Sequence, residues 1–377
     1  MYMIGASPGY FSGRCDIDIP FSLQYALKEK QHIYDNTLYA IKSHKNENLF
    51  VTAGIDTVNG TNQNIVKLWK FDKRPLKSFS GFTAHDSHVH SLSFLSNSLI
   101  AACAATLSVY NYETNQFIYH NHLSKYTSMF TSTDTITGNG VGTYVPYQQI
   151  YTSSIYGDIF CNDLRERSND ITVVARWKLT PTWARYNDYT TYITVLTCYQ
   201  NVYIIAGWND GYISILDQRT GACLYKFKAH TKEIRSIEFL SRTRMLTSAS
   251  DGSINIWSLH GLQNNLYNDI DSYVFISLES MPSISSQLSL SLLSSSSSFT
   301  LYGAANNSIY SCSIDNKLIF DPEPTQIPLH LQTKKNKVLD GITQTPLSKL
   351  RLNSLELCPL RRIMLAGGDE GDVFIIQ

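Results

Sequence analysis

Between Gly221 and Leu259 the chain reads GACLYKFKAHTKEIRSIEFLSRTRMLTSASDGSINIWSL, and the order of features there restricts the fold more than any other stretch. A pair, Ala229-His230, is followed by two short alternating apolar runs, Ile234 to Phe239 and Met245 to Ser250. The turn pair Asp251-Gly252 then precedes a third run that ends at Trp257. Alternation with a period of two marks half-buried strands, and Asp-Gly between two such runs is a hairpin signal. Three antiparallel strands cannot bury both faces alone, so a unit of this kind needs copies of itself beside it.

Such copies run along the chain. The first has LYAIKS from Leu38, LFVTA from Leu49 and IVKLW from Ile65, the last matching INIW at Ile254–Trp257. A polar insertion, Gly54–Asn64, separates its second and third strands, and Leu76 to Phe79 is its expected outer strand. The second opens with Ala84-His85 and continues through Val89–Phe94, Ser98–Ala102 and Leu107–Asn111, with Tyr110 in the Trp position and no turn Asp. The third is degenerate: Thr127–Thr131, Gln149–Ser153, GDIFCNDLR and an outer strand over Ile171–Trp177. The fourth has Tyr192–Cys198, Val202–Gly207, the turn Asn209-Asp210-Gly211, YISILD ending at Asp217, and the outer strand CLYKF. The fifth is the opening stretch, with its outer strand expected near Tyr273–Leu278. The sixth comprises SQLSLSLL, SFTLYGAAN and SIYSCSI, with IPLHL as its outer strand. The seventh, LRLNSLELC, RIMLAGG and DVFIIQ, stops after three strands. An unpaired strand at the seam is an aggregation hazard, and the alternating Phe21–Leu27 stretch can supply the missing partner.

These motifs, Ala229-His230 through Trp257 together with Ile65–Trp69, Ala84-His85 and Asn209–Asp217, resemble the WD-repeat (WD40) family. The resemblance implies an all-β, seven-bladed WD-repeat β-propeller closed by an N-terminal strand in the last blade. Residues 1–30 would supply that strand and residues 31–377 the propeller. It also implies a structural tetrad in the fifth blade, in which the His230 imidazole links Asp251, a strand hydroxyl (Ser248 or Ser250) and the Trp257 indole. GYISILDQRTGACLYKFKAH, LTSASDGSINIW and LAGGDEGDVFIIQ are further similar to the C-terminal propeller of the BEACH-type WD-repeat proteins, in particular their endosomal and autophagy-linked branch. That likeness implies a cytoplasmic scaffold for protein partners, peripheral to endosomal membranes.

Composition is in keeping with strands and excludes some partners. Lys plus Arg and Asp plus Glu both total 31, so no strong global field draws in nucleic acid. Tyr is abundant at 24 residues, a strand-favouring type. The seven cysteines are spread singly without a CxxC and read as reduced, buried thiols of a reducing compartment. The first twenty residues lack a basic start and a signal-length apolar core, and no apolar run is long enough to span a bilayer. Asn59-Gly60-Thr61 and Asn306-Asn307-Ser308 match the glycosylation sequon by chance on this reading.

Binding on such a scaffold concentrates in loops on one rim. Three segments belong there: the insertion Gly54–Asn64, the connection Thr180–Tyr192, and Gln332–Lys337 with Lys334, Lys335 and Lys337. The connection carries Trp183, Arg185, Tyr186 and Tyr189, residue types that dominate binding hot spots, and these four are the expected partner contacts. The bland alternative for Trp183 is packing between blades. An enzyme reading needs a catalytic His230–Asp251 pair beside Ser248, or metal ligation by His88 with His90 or His120 with His122. No HExxH, P-loop or GxSxG is present, so no cofactor, metal or catalytic residue is expected. A phosphoinositide-binding rim is the other alternative, but Arg361-Arg362 lacks the flanking Phe and Gly of that motif.

Overall fold

In the computed structural model, residues 25–28, 37–44, 47–71, 78–85, 87–95, 98–121, 126–131, 149–164, 173–178, 191–199, 202–241, 244–251, 253–259, 289–294, 298–305, 308–315, 325–326, 330–331, 352–358, 363–368, 371 and 373–376 are described. Every regular element among them is a β-strand. The strands fall into two compact units, one holding those up to His85 and those from Ser289 onward, the other those from Ser91 to Ser258.

The first unit begins with β1 (Tyr25–Lys28) and a sheet of β2 (Leu38–Ser43), β3 (Leu49–Val58), β4 (Thr61–Lys70) and β5 (Ser78–His85). The second unit holds four sheets in chain order. The second sheet of the chain is β6 (Ser91–Phe94), β7 (Leu99–Cys103), β8 (Leu107–Asn111) and β9 (Gln116–Asn121). The third is β10 (Tyr126–Thr131), β11 (Gln149–Ser154), β12 (Asp158–Asp163) and β13 (Val173–Lys178). The fourth is β14 (Ile193–Tyr199), β15 (Tyr203–Trp208), β16 (Tyr212–Asp217) and β17 (Cys223–Lys228). The fifth, among the described residues, is β18 (Ile234–Ser241), β19 (Arg244–Ala249) and β20 (Ile254–Ser258). The first unit resumes with the sixth sheet, β21 (Ser289–Ser294), β22 (Ser298–Ala305), β23 (Ser308–Asp315) and β24 (Thr325–Gln326). The last sheet contains β25 (His330–Leu331), β26 (Leu352–Cys358), β27 (Ile363–Gly368) and β28 (Val373–Ile376), in the order β25-β1-β28-β27-β26.

The second strands β7 and β15 have near-continuous apolar sequences because both of their faces are covered. Ile204, Ile205 and Ala206 on β15, and Ile100, Ala101 and Ala102 on β7, have no solvent exposure. Burial on both faces turns alternation into a continuous apolar run. The cores lie between consecutive sheets. Tyr126, Met129 and Ile150 of the third sheet pack with Ala101, Cys103 and Val109 of the second. Tyr151 and Ile159 of the third pack with Leu196, Ile204 and Trp208 of the fourth. Ile205 and Ile213 of the fourth pack with Ile234, Met245 and Trp257 of the fifth. In the other unit, Leu365 and Val373 of the last sheet pack with Leu38, Phe50 and Trp69 of the first. Each fully buried aliphatic side chain contributes roughly 1.5–3 kcal/mol.

The first strands of five sheets shift register near their start, between Leu38 and Ala40, Tyr126 and Ser128, Ile193 and Val195, Ile234 and Ser236, and Leu352 and Ser354. A bulge of this kind re-aims one side chain out of the pleat. Thr194 and Arg235 occupy two of these positions and are used at the rim described below.

Three sequence expectations are corrected. The insertion Gly54–Asn64 is not a loop: β3 and β4 pair without a break from Leu49↔Lys70 to Val58↔Thr61. Asn59 and Gly60 close this ribbon with φ of 53° and 78°, the two positive values of a type I′ turn. The outer strand placed at Leu76–Phe79 is β5, Ser78–His85, so Ala84-His85 ends the first sheet and does not open the second. IPLHL does not form the outer strand of the sixth sheet. Thr325 and Gln326 pair with β23, whereas His330 and Leu331 run parallel to Tyr25 and Ala26 of β1. The strand expected near Tyr273–Leu278 lies outside the described residues.

Candidate functional site

The fourth and fifth sheets meet at one end in a set of turns, and a polar network fixes those turns from below. His230 lies in the connection from β17 to β18, its side chain inaccessible to solvent. Its Nε2 is 2.7 Å from Thr247 Oγ1 on β19, and the same hydroxyl accepts the Trp257 indole N–H at 2.8 Å. Its Nδ1 is 2.6 Å from Ser253 Oγ, and Ser253 Oγ–H donates to Asp251 Oδ1 at 2.6 Å. Counting hydrogens assigns one direction to the chain. The indole donates to Thr247, Thr247 donates to Nε2, Nδ1–H donates to Ser253, and Ser253 donates to Asp251. That arrangement requires a neutral imidazole. Burial pushes His230 down to about 4, against the pull of the Asp251 carboxylate 3.6 Å away. Burial acts to raise Asp251, but hydrogen bonds from Ser253 and from Thr231 N–H and Oγ–H outweigh it and hold the carboxyl well below its ordinary range.

The structure thus brings His230, Asp251 and Trp257 together and leaves Ser248 out. Ser248 Oγ is 3.1 Å from Ser236 Oγ, and Ser250 Oγ accepts from Arg235 Nε at 2.7 Å. The correction follows from strand parity. Met245 pairs with Trp257 and Thr247 with Asn255, so Thr247 shares the face of the indole. Ser248 is one residue on and projects from the other face. The sequence held a signal for the right residue: the first sheet repeats the device, with Trp69 Nε1 donating to Thr52 Oγ1 at 2.8 Å. Both imidazole nitrogens are engaged, by Ser253 and Thr247, while the Ser248 hydroxyl is paired with that of Ser236.

Above the network, four segments are tied into one rim. Ala229 N and His230 N donate to Gly211 O in the β15–β16 turn. Thr231 holds Asp251 of the β19–β20 turn, and Ser250 N donates to Glu233 O. Tyr192 and Asn209 exchange bonds, Asn209 N to Tyr192 O and Tyr192 N to Asn209 Oδ1. The bulge at Arg235 aims its guanidinium along the rim, where it pairs with Glu233 at 2.9 Å. Thr194 Oγ1 donates to Ile234 O at 2.7 Å and sews β14 to β18. Burial raises Tyr192, helped by the Glu233 charge, and also raises Glu233, opposed by Arg235. The result is a half-buried, preorganised Tyr–Glu–Arg group at the point where the connection carrying Trp183, Arg185, Tyr186 and Tyr189 enters β14.

Those four residues, the Gln332–Lys337 segment and His122 lie outside the described residues. The other three histidines of the metal reading, His88, His90 and His120, are separately engaged. His88 stacks on Tyr39 with centroids 4.4 Å apart and its Nδ1 is 3.2 Å from Asn64 Oδ1. His90 Nε2 is 3.2 Å from Tyr126 O, and His120 Nδ1 is 2.5 Å from Ser108 Oγ. Among the described residues no three His, Cys, Asp or Glu side chains cluster as metal ligands, and no helix is long and apolar enough to cross a membrane.

Comparison with known proteins agrees with the repeat. The chain is 22% identical over 329 residues to the "Probable inactive serine/threonine-protein kinase lvsG" of Dictyostelium discoideum. The match takes in 85% of this chain and 14% of that protein, so the chain spans about a seventh of its relative's length. WD repeats generally mediate protein–protein interaction and are typically not catalytic. Residues 221–258, which contain the whole His230 network, match the family described as "WD domain, G-beta repeat", and this stretch is a WD40 repeat.

Proposed function

We propose that the chain is a non-catalytic scaffold for protein partners, built as a seven-bladed propeller closed by its N-terminal strand. The observation that carries this reading is the engagement of His230. Both imidazole nitrogens are spent on holding the rim turns, through Ser253 and Thr247, so the turns are fixed and the imidazole is not available for chemistry. A rigid rim with half-buried Tyr192, Glu233 and Arg235 favours recognition, because little side-chain freedom remains to be lost on binding. Trp183, Arg185, Tyr186 and Tyr189 are the partner contacts on this reading. By likeness to the BEACH-type proteins, and to WD repeat-containing protein 81 in particular, the scaffold acts in membrane traffic or autophagy. It is cytoplasmic and peripheral on endosomal membranes.

The test is affinity capture with mass spectrometry, run on the wild type and on Trp183→Ala with Arg185→Ala. The double variant should lose the main captured protein while keeping its circular dichroism spectrum and melting temperature. Capture at wild-type level would remove the aromatic connection as the site. Recovery of only lipid vesicles, with no protein, would point to the phosphoinositide alternative.

A further inference from the structure

We propose that β17, the outer strand of the fourth sheet, is a docking edge for an extended acidic segment of a protein partner, with carboxylates at alternate positions seated on Lys226 and Lys228. The two lysines pair with Ser214 and Tyr212 respectively and so stand on one face of the sheet, two residues apart along an extended strand. That separation is about 7 Å, the distance between side chains i and i+2 of an extended peptide.

The amines are held in place before any partner arrives. Lys226 Nζ lies 5.3 Å from the centroid of Trp208 and 5.4 Å from that of Tyr212, and Lys228 Nζ lies 4.8 Å from Tyr212. Trp208 is itself fixed, 1% exposed, with its indole N–H on Ser214 Oγ at 2.9 Å. Lys228 Nζ also donates to Asp210 O. Ordered lysines of this kind have already lost the rotamer freedom that a surface lysine gives up on binding. Lys226 is further stripped of water: burial lowers it to about 8, with Asp210 and Cys223 acting in the opposite sense. An arriving carboxylate restores the favoured charged state, so binding takes up a proton. The titratable and charged groups that face Lys226 include Asp210 in the β15–β16 turn, Tyr212 on β16, and Cys223 and Lys228 on β17 itself.

Among the described residues β17 ends the order β14-β15-β16-β17, and a strand at the end of a sheet is where an extended peptide can add. The patch fits a peptide better than a membrane. Anionic surfaces are held by clusters of roughly four to eight basic residues, whereas this face offers two lysines on a strand in a chain of zero net charge.

The experiment uses the full chain and a fluorescein-labelled peptide of alternating Glu and Thr, with an alternating Gln and Thr peptide as control, read by anisotropy at low salt. The Glu peptide should bind and the Gln peptide should not. Lys226→Met with Lys228→Met keeps the aliphatic stems on the rings and removes the charge, and it should weaken binding by about tenfold or more. Lys228→Gln alone, at an exposed position, should weaken it several-fold and serves if the double variant fails to fold. Wild-type affinity should fall as pH rises through about 8, and Lys226→Met should abolish that fall. The proposal is overturned if the Glu peptide does not bind, or binds both charge-removed variants as well as the wild type. It is equally overturned if only anionic vesicles engage the two lysines. Trp183→Ala with Arg185→Ala should leave peptide binding intact, so failure here and failure of the rim reading are separate results.

Discussion

At the scale of single residues, the relay from Trp257 to Asp251 depends on hydroxyls that sequence order alone does not pick out. Thr247 is the junction, receiving the indole N–H and serving the imidazole. Thr247→Val keeps the shape and strands two buried partners, so it should cost about 1–3 kcal/mol. Ser248→Ala removes a single hydroxyl contact with Ser236 and should cost less. Urea unfolding of the two variants ranks them; equal losses would mean that the relay does not run through Thr247. The imidazole gives a pH dependence with a definite sign. Its ordinary value is 6.5 and its folded value about 4, so the unfolded chain binds the extra proton first. Stability is therefore complete above 6.5 and is lost progressively as pH falls toward 4, by up to roughly 3 kcal/mol. Asp251, depressed in the fold, pushes the same way at still lower pH. Unfolding midpoints that stay level from neutrality down to that range, or that fall no more steeply than those of His230→Gln, would refute the assignment.

At the scale of elements, alternation and turn pairs made most strands legible, and the failures came where pairing partners decide the outcome. The second-strand residue diagonal to each Trp position illustrates both. It is Thr where a side-chain N–H donor faces it, at Thr52 with Trp69, Thr152 with Asn162 and Thr247 with Trp257. It is Ala where Tyr110 or Leu216 faces it, at Ala102 and Ala206. That rule needs the register, which spacing alone left one residue off at Ser248. The ribbon over Gly54–Asn64 was misread because its polar residues mask the pairing, although Asn59-Gly60 is the strongest short hairpin signal there is. The candidate partner residues could be named from type and position, but nothing in one sequence fixes where a connecting segment lies. Turn glycines give the prediction at this scale. Gly211 has φ +83° and a Cβ there would stand 2.2 Å from His230 O, a backbone atom, so Gly211→Ala should both strain the turn and pry the rim open. Gly60 has φ +78° with nothing within 4 Å, so Gly60→Ala should cost only the left-handed backbone, about 1–2 kcal/mol. Melting curves should show the first loss well above the second; the reverse order would mean that the rim contact at Gly211 contributes little.

At the scale of the whole molecule, what matters is how the chain's beginning and end are used. β1 pairs antiparallel with β28 through Ala26↔Ile376, Leu27↔Ile375 and Lys28↔Phe374, so a strand from the first thirty residues joins a sheet that holds three strands from the last thirty. Beside it, the last and first sheets are joined by side chains of β26 that reach the backbone edge of β2. Ser354 Oγ accepts Ile41 N–H at 3.1 Å, and Glu356 Oε1 accepts Ser43 N–H and Oγ–H and pairs with Lys42 at 3.4 Å. Burial raises the Glu356 carboxyl while Lys42 and Ser43 oppose it, so the seam is polar but internally matched. Deleting residues 1–30 would remove β1, expose the backbone edge of β28 and leave β25 without its partner. A sheet edge opened in this way is both less stable and prone to pair with another copy. The truncated chain should melt at least ~5 °C lower, on the scale of a few kcal/mol, and should form concentration-dependent oligomers in sedimentation velocity. The mature edge can be re-blocked by a synthetic peptide of residues 21–30, which should restore the melting temperature in a saturable way. A truncated chain that melts like the full one and stays monomeric would mean that the last sheet stands on three strands, and the closed seven-bladed ring proposed for this chain would lose its clasp.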